Sequence, residues 1–346
     1  MSYQLEDKMV IGVSSRALFD LSAENEIFER QGVEAYCQYQ VEHEKELLKP
    51  GPGFGLVKEL LRLNEYAAGE ELVEVIIMSR NSPDTSLRVF NAIKYYGLKI
   101  TRAVLVSGAS LAPYLSAFHT DLFLSAYEDD VQSAIDSGIA AGIICTDHVY
   151  VADAAAKQAG CVAEAGKLLP FPQPLKTEYP LAGEQGCNQI RIAFDGDAVL
   201  FTDESEMIFK EKGLEAFEEN EELNAGNPLE EGPFANFLRK LSDLQRRIGV
   251  DNCPIRTALV TSRSAPAHER VIRTLRAWNV RVDEAFFLGG IEKKEFLKAF
   301  GAQIFFDDQS VHTVSAAQAV PAARVPYRRV KRRAGFTDEI SAYHTG

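Results

Sequence analysis

The sequence predicts an α/β protein built from two tandem, doubly wound domains that come from an internal duplication. Two observations support this. Short apolar segments of strand length alternate with amphipathic helical segments, and the whole pattern occurs twice along the 346 residues. Short, continuous apolar strands separated by helices favour a parallel sheet covered on both faces. We expect a first domain over residues 1–186 and a second over residues 187–346.

The internal repeat keeps its register over most of the chain. The segment that starts at Ile11 aligns with the segment that starts at Ile192, 181 residues later. Farther on, Ser79 aligns with Ser262, and an arginine follows the serine in both copies. This period is far longer than that of a solenoid repeat, so it indicates a duplicated domain.

The second copy shows the alternation most clearly. Its apolar runs predict strands over residues 189–194, 257–260, 285–288 and 303–306. The segments between them predict helices over residues 204–212, 267–278 and 293–300. Asp203 and Glu206 have the spacing of a capping box, and Gly213 is placed to end the first helix. The long stretch over residues 204–250 is expected to form a small cap.

Two further segments differ in composition from the repeated units. Residues 151–186 are rich in Ala, Gly and Pro, and they are the expected join between the domains. Residues 324–333 carry six basic side chains and no acidic one, which predicts a solvated or partner-contacting C-terminal tail.

Composition and charge exclude several classes of protein. Hydrophobic residues make up 46% and charged residues 25%, which is typical of a globular protein. The net charge of −13 argues against binding to polymeric nucleic acid. No apolar run approaches the length of a membrane span, and the N-terminus lacks the features of a signal peptide. The five scattered cysteines lack C-x-x-C spacing, so we expect reduced thiols in the cytosol.

Acidic and hydroxyl side chains follow three predicted strands of the second copy. Asp195 and Asp197 come after its first strand, Thr261 follows another, and Asp307 and Asp308 follow its last. Ligands of open parallel sheets bind outside the carboxyl ends of the strands, so we expect these groups to converge. Crowded carboxylates repel one another unless a cation holds them ionised. Mg²⁺, which prefers oxygen ligands and phosphate, fits such a site best.

The Asp-x-Asp spacing suits phosphoryl transfer. Asp195 would attack phosphorus, and Asp197 would protonate the leaving oxygen and later deprotonate a water molecule. Gly196 between them lets the backbone turn and leaves room for a phosphoryl group. Lys293 would neutralise charge, and the Thr261 hydroxyl would hold a phosphate oxygen.

The first copy lacks these groups. Its aligned positions hold Ser14, Arg16, Leu111, Ser125 and Ala126. The same scaffold therefore does not need the acids for folding, which points to a functional role for them in the second copy. We expect the first half to be a degenerate domain with a packing, oligomerisation or substrate-covering role.

A family resemblance covers nearly the whole chain. Residues 194–206, FDGDAVLFTDESE, resemble the first motif of haloacid dehalogenase-type (HAD-like) phosphatases, in the form found in type I cytosolic 5′-nucleotidases. Residues 260–263 (VTSR), 304–309 (IFFDDQ) and 79–85 (SRNSPDT) are similar to that family as well. The resemblance implies two Rossmann-like, HAD-like domains and Mg²⁺-dependent hydrolysis of nucleoside 5′-monophosphates in the cytoplasm. The substrates would be AMP-like or deoxynucleotides.

The resemblance also implies roles for individual residues. The metal ligands would be Asp195, Asp197 through its backbone carbonyl, Asp307 and Asp308. The catalytic residues would be Asp195, Asp197, Thr261 and Lys293, although Lys294 is the alternative lysine. Thr261 would be a phosphate contact. By their positions next to Asp195 or Thr261, Gly196, Ser262 and Arg263 are further expected substrate contacts, with a surface salt bridge as the alternative for Arg263.

Two alternatives remain open at this stage. The chain could be a related phosphatase of another small phosphomonoester, such as a sugar phosphate, or a non-catalytic regulator that binds a nucleotide without turnover. The preferred base and sugar, the effectors and the number of subunits, including a homo-oligomer, are left open by the sequence.

Overall fold

The computed structural model describes residues 5, 7–66, 69–146, 189–249 and 253–327. The expected join over residues 151–186 and the boundary between residues 186 and 187 lie outside the described residues, as does most of the basic tail. Within the described part no helix is long and apolar enough to cross a membrane.

A mixed sheet of ten strands forms the centre of the molecule. The strands of the first half are β1 (Met9–Val13), β4 (Val73–Ser79), β5 (Arg102–Leu105), β6 (Leu122–Ser125) and β7 (Ala140–Ile144). Those of the second half are β8 (Ile190–Phe194), β9 (Ile255–Thr261), β10 (Glu284–Phe287), β11 (Ile304–Asp307) and β12 (Ala322–Arg324). The two remaining strands form a separate antiparallel pair, β2 (Phe19–Asp20) and β3 (Lys49–Pro50).

The two halves of the sheet have the same strand order. It runs β5-β4-β1-β6-β7 in the first half and β10-β9-β8-β11-β12 in the second, and all pairs within a half are parallel. The halves meet through β7 and β12, which pair antiparallel with Ala323 opposite Ile144. The strands of one half therefore run opposite to those of the other, and their carboxyl ends lie at opposite edges of one continuous sheet.

Helices cover both faces of this sheet. Those of the first half are α1 (Ser15–Leu18), α2 (Ser22–Glu42), α3 (Phe54–Arg62), α4 (Leu87–Tyr95), α5 (Ala112–Ala117) and α6 (Glu128–Asp136). Those of the second half are α7 (Glu204–Lys212), α8 (Leu214–Leu223), α9 (Ala235–Ile248), α10 (His268–Ala277), α11 (Lys294–Phe300) and α12 (Ser310–Ala316). Short 3-10 turns occur at Leu63–Glu65 and Asp84–Ser86.

The core lies on both faces of the sheet and extends across the two halves. On one face, a single cluster contains side chains of α3 and β1 together with side chains of α9 and β8. On the other face each half has its own cluster, with α5 and α6 in the first and α11 and α12 in the second. Burial on both faces explains why the strands read as continuous apolar runs.

The predicted elements of the second copy are confirmed to within two residues at their ends. Gly213 ends α7 with φ of 85°, and Gly32 interrupts α2 with φ of 86°. Asp203 is the N-cap residue of α7, as predicted, but its side chain makes no hydrogen bond there, so the capping box is not formed. Helix α9 packs in the core, whereas α7 and α8 contribute no side chain to the core clusters of the described residues.

Candidate active site

The carboxyl ends of β8 and β11 bring the predicted acids together. Asp195 directly follows β8, and its backbone N–H donates a hydrogen bond of 2.8 Å to the carbonyl of Phe306 in β11. Asp307 is the last residue of β11, and Asp308 comes next. Adjacent parallel strands thus place three carboxylates at one edge of the sheet.

A buried lysine links two of these acids. The Nζ atom of Lys293 donates to Oδ1 of Asp195 and to Oδ2 of Asp307, each at 2.7 Å. The other oxygen of Asp307 accepts the backbone N–H of Gln309 at 2.9 Å. Lys294 instead points outward and donates to Gln318 at the exposed surface. Of the two adjacent lysines, Lys293 therefore contacts the acids and Lys294 does not.

The residues present fit a hard divalent cation. One carboxylate oxygen from each of Asp195, Asp307 and Asp308 lies within 4.8 Å of the others. Asp308 has a buried Oδ1 atom without a hydrogen-bond partner. An orphaned, buried carboxylate oxygen is costly unless a cation or water satisfies it. An all-oxygen donor set of this kind is the type that Mg²⁺ prefers.

Burial and mutual repulsion raise the pKa of Asp195 and that of Asp308. Burial raises the pKa of Asp195 from its ordinary value near 3.8 to about 7, with a further upward contribution from Asp307 and an opposing one from Lys293. Burial also raises the pKa of Asp308 to about 8, supported by the charges of Asp195 and Asp307. Burial alone would lower the pKa of Lys293, but its two carboxylate partners raise it above the ordinary value.

The side chain of Asp197 is paired with an arginine. Arg263 grips it with two hydrogen bonds, from Nε to Oδ2 at 2.9 Å and from Nη2 to Oδ1 at 2.6 Å. The third guanidinium nitrogen, Nη1, donates to Glu221 at 2.5 Å. Arg263 is therefore buried and fully engaged rather than free to meet a ligand.

Thr261 and Gly196 line the same edge. Thr261 ends β9, and its hydroxyl oxygen accepts the backbone N–H of Arg263 at 3.2 Å. A Cβ atom added to Gly196 would lie 3.3 Å from that hydroxyl oxygen, so a side chain there would crowd it. Ser262, the next residue, is exposed.

Comparison with known proteins gives this arrangement a context. A family model described as 5′-nucleotidase matches residues 1–159 and 175–332. The chain belongs to the 5′-nucleotidase family. It is 36% identical over 321 residues to human cytosolic 5′-nucleotidase 1B, a match that covers 90% of this chain and 47% of the relative. The chain thus spans about half the length of that curated relative.

One solved structure was also similar over most of the chain. A chain of the Pnkp1/Rnl/Hen1 complex aligns over 92% of this chain and 96% of its own length, at 12% identity and a TM-score of 0.28. A similarity at this level is too low to support a conclusion about the fold or function of this chain.

Three side chains make contacts at the candidate site that the sequence did not predict. Glu206 of α7 accepts a hydrogen bond of 3.1 Å from Gln309, and Glu221 of α8 contacts Arg263. Both glutamates lie in helices that carry many other acidic residues, so spacing gave no signal to distinguish them. Gln309 is the last residue of the motif over residues 304–309, but the sequence assigned it no role in the site.

Among the described residues, the corresponding edge of the first half has no such cluster. Ser14 and Ser125 stand where the second half has Asp195 and Asp307, and their hydroxyls accept nearby backbone N–H groups. Arg80 is held by Asp130 through Nε at 2.9 Å and Nη2 at 2.7 Å. Because this edge is opposite to the one with the acids, the first-half strand ends do not border the candidate site.

Proposed function

We propose that this chain is a Mg²⁺-dependent 5′-nucleotidase that hydrolyses nucleoside 5′-monophosphates to a nucleoside and phosphate. The observation that carries the proposal is the buried group formed by Asp195, Asp307, Asp308 and Lys293 at adjoining strand ends. Family membership and the name of the human relative support the substrate class. That name also supports a cytosolic location. AMP-like nucleotides and deoxynucleotides, which the family resemblance implies, are the first substrates to test.

The metal would be held by the carboxylates of Asp195, Asp307 and Asp308, with the backbone carbonyl of Asp197 as a further ligand. Mg²⁺ would supply positive charge that binds the phosphate and offsets the charge of the attacking carboxylate. Lys293 adds a second, permanent positive charge on the nucleophile, because it already donates to Asp195.

The first chemical step transfers the phosphoryl group to the protein. A carboxylate oxygen of Asp195 forms a bond to phosphorus while the bond from phosphorus to the 5′ oxygen breaks. The electron pair of that bond stays on the 5′ oxygen, which takes a proton from Asp197. The products of this step are the free nucleoside and an aspartyl-phosphate.

The second step releases phosphate. Asp197, now ionised, takes a proton from a water molecule, and the water oxygen forms a bond to phosphorus as the bond to Asp195 breaks. Both carboxyl groups return to their starting states. Thr261, Ser262 and the backbone at Gly196 would hold the phosphoryl oxygens during both steps. In this scheme Arg263 acts on Asp197, since all three of its nitrogens are engaged.

We also propose that the two halves are tandem HAD-like domains that arose by duplication, over residues 1–186 and 187–346. The shared strand order and the equal backbone conformation at Gly32 and Gly213 support this. Helices α7 and α8 would form the cap of the second domain, since Glu206 of α7 contacts Gln309, Glu221 of α8 contacts Arg263, and neither helix contributes a side chain to the core clusters of the described residues. The first domain would be the degenerate copy.

Phosphate release tests the proposed function. The protein is incubated with AMP, IMP, dCMP or a hexose phosphate, each with Mg²⁺ and with a chelator. Release from the nucleotides that stops on chelation supports the proposal. Faster release from the hexose phosphate would indicate a phosphatase of another small ester. Nucleotide binding without release would indicate a regulator.

A further inference from the structure

We propose that Arg263 and Glu221 are positioning residues that hold the carboxylate of Asp197 where it protonates the leaving oxygen. This inference rests on the proposed function, because it concerns the proton transfer in that reaction. Neither residue would touch the substrate, and Glu221 would act through Arg263. The inference replaces the role of phosphate contact that the sequence suggested for Arg263.

The contacts form one continuous path from helix α8 to Asp197. The bidentate grip of Arg263 fixes both the position and the plane of the Asp197 carboxylate. Behind it, Oε2 of Glu221 accepts from Nη1 of Arg263 at 2.5 Å. The other oxygen of Glu221 accepts from Arg270 at 2.9 Å and from the Ser205 hydroxyl at 2.8 Å.

Burial makes this network sensitive to the loss of a single charge. The side chain of Glu221 is fully buried and that of Arg263 is 2% exposed. With Asp197 ionised, as it is between the two chemical steps, the two arginines and two carboxylates of the network balance in charge. Removing the charge of Glu221 leaves an unpaired buried cation beside Asp197, and an uncompensated buried charge is strongly unfavourable. Arg263 is then expected to shift, and it would carry Asp197 with it.

The first half provides an internal comparison. Arg80 aligns with Arg263, but the position of Glu221 is taken by Gln40, 181 residues earlier in the chain. Arg80 pairs with Asp130 instead. The arginine thus occurs in both halves, whereas its glutamate partner occurs in the half that has Asp197. The first half does keep a buried glutamate–arginine pair, but it joins Glu24 to Arg88 and does not involve Arg80.

The same network ties Asp197 to α7 and α8. Ser205 belongs to α7, and Glu221 belongs to α8. The guanidinium carbon of Arg263 also lies 5.5 Å from the ring centroid of Phe217 in α8. Placement of these helices and placement of the acid are therefore coupled through one arginine.

Leaving-group dependence separates positioning of an acid from general structural support. The 5′ oxygen of AMP needs a proton as it leaves, whereas p-nitrophenolate leaves without one. For Glu221→Gln we expect kcat for AMP to fall at least about tenfold, with KM changed little, because an acid contributes about 10² or more to such a step. The second step is common to both substrates and also uses Asp197, so the comparison concerns the first step. The burst of p-nitrophenolate within the first turnover is expected to change in rate by less than about threefold. Asp197→Asn is expected to show the same pattern more strongly.

A double-mutant cycle with AMP gives a second, independent readout. If Glu221 acts through Asp197, Glu221→Gln is expected to cause no further loss in the Asp197→Asn background. The matched control is Glu24→Gln, which disrupts the buried pair between Glu24 and Arg88 in the first half and is expected to leave both rates unchanged.

The outcomes distinguish this inference from the proposed function. Equal losses of the first-step rate with both substrates, effects that multiply in the cycle, or an unchanged Glu221→Gln protein would each overturn the positioning role. An Asp197→Asn protein with full activity on AMP would overturn it too. A wild-type protein that releases no phosphate from any nucleotide would instead overturn the proposed function.

Discussion

Lys293 donates a hydrogen bond to Asp195, the predicted nucleophile, with Nζ 2.7 Å from Oδ1. The same ammonium lies 2.7 Å from Asp307, so one buried lysine serves two carboxylates. This arrangement keeps an anionic nucleophile in a buried place where repulsion from Asp307 would otherwise favour its protonation. Lys293 is thus part of the electrostatic balance of the site before any substrate arrives.

Replacing Lys293 by Met is expected to lower kcat for AMP by about 10² or more, because a preorganised charge beside the reacting group is lost. The side-chain shape is largely kept. Lys294→Met is the matched control, since that lysine contacts Gln318 at the surface and should remain near wild type. Steady-state phosphate release measures both variants. Similar losses in the two variants would contradict the assignment of Lys293.

Stability of the metal-free protein is expected to fall as pH rises from about 4 to about 8. The folded-state pKa values of Asp195 and Asp308 are raised to about 7 and about 8. A raised carboxyl pKa means that the folded state binds more protons than the unfolded state in this interval. Its stabilising contribution is therefore complete below about pH 4 and is lost as pH rises through the folded values. Thermal melting in the presence of a chelator measures the trend.

Asp308→Asn is the control for this pH dependence. The variant removes one raised group and the repulsion that it exerts on Asp195, so its melting temperature should depend less steeply on pH than that of the wild type. Added Mg²⁺ should stabilise the wild type more at pH 8 than at pH 5, because the cation binds the ionised carboxylates. A wild-type slope equal to that of Asp308→Asn would contradict the account.

Thr261→Val is expected to lower kcat/KM for AMP by about tenfold or more, because the variant removes a hydroxyl placed for a phosphate oxygen. The substitution also deprives the backbone N–H of Arg263 of its acceptor. Thr257→Val is the matched control on the same strand. The hydroxyl of Thr257 donates to Asp283, which is not one of the acids of the candidate site. It should affect stability more than turnover. Equal kinetic effects of the two variants would argue against a substrate contact at Thr261.

The pairing of the two halves is expected to depend on the absence of a side chain at Gly142. A Cβ atom there would lie 2.9 Å from Cβ of Ala323 and 3.1 Å from the ring of Phe306. Gly142→Ala should lower the free energy of unfolding by about 1–3 kcal/mol through overpacking. Gly226→Ala, in an exposed turn with no atom within 4 Å of the new methyl group, is the control. Chemical denaturation that finds both variants equally stable would contradict a tightly packed seam.

The strands and helices of the second half could be predicted because burial on both faces leaves a simple pattern. The runs that end at Phe194 and Phe306 are apolar throughout, and they bring the adjoining acids into one place. The convergence of Asp195, Asp307 and Asp308 could therefore be anticipated from strand ends alone. It needs only the rule that neighbouring parallel strands share an edge.

Other features depend on contacts that sequence spacing does not encode. The continuous sheet is made by antiparallel pairing of Ala323 with Ile144, two short strands whose partners lie far apart in the chain. The turn of Asp197 towards Arg263 likewise depends on Glu221, one acid among many in α7 and α8. Local patterns predict elements and their ends, whereas these long-range pairings are decided by packing and charge.

The central claim is that Asp195 accepts the phosphoryl group. Radiolabelled AMP is mixed with the protein and Mg²⁺, the reaction is stopped with acid within one turnover, and the labelled peptide is identified. We expect label on the peptide that contains Asp195, its removal by hydroxylamine as for an acyl phosphate, and no label in Asp195→Asn. Phosphate release by Asp195→Asn at the wild-type rate, or stable label on another residue, would contradict the account.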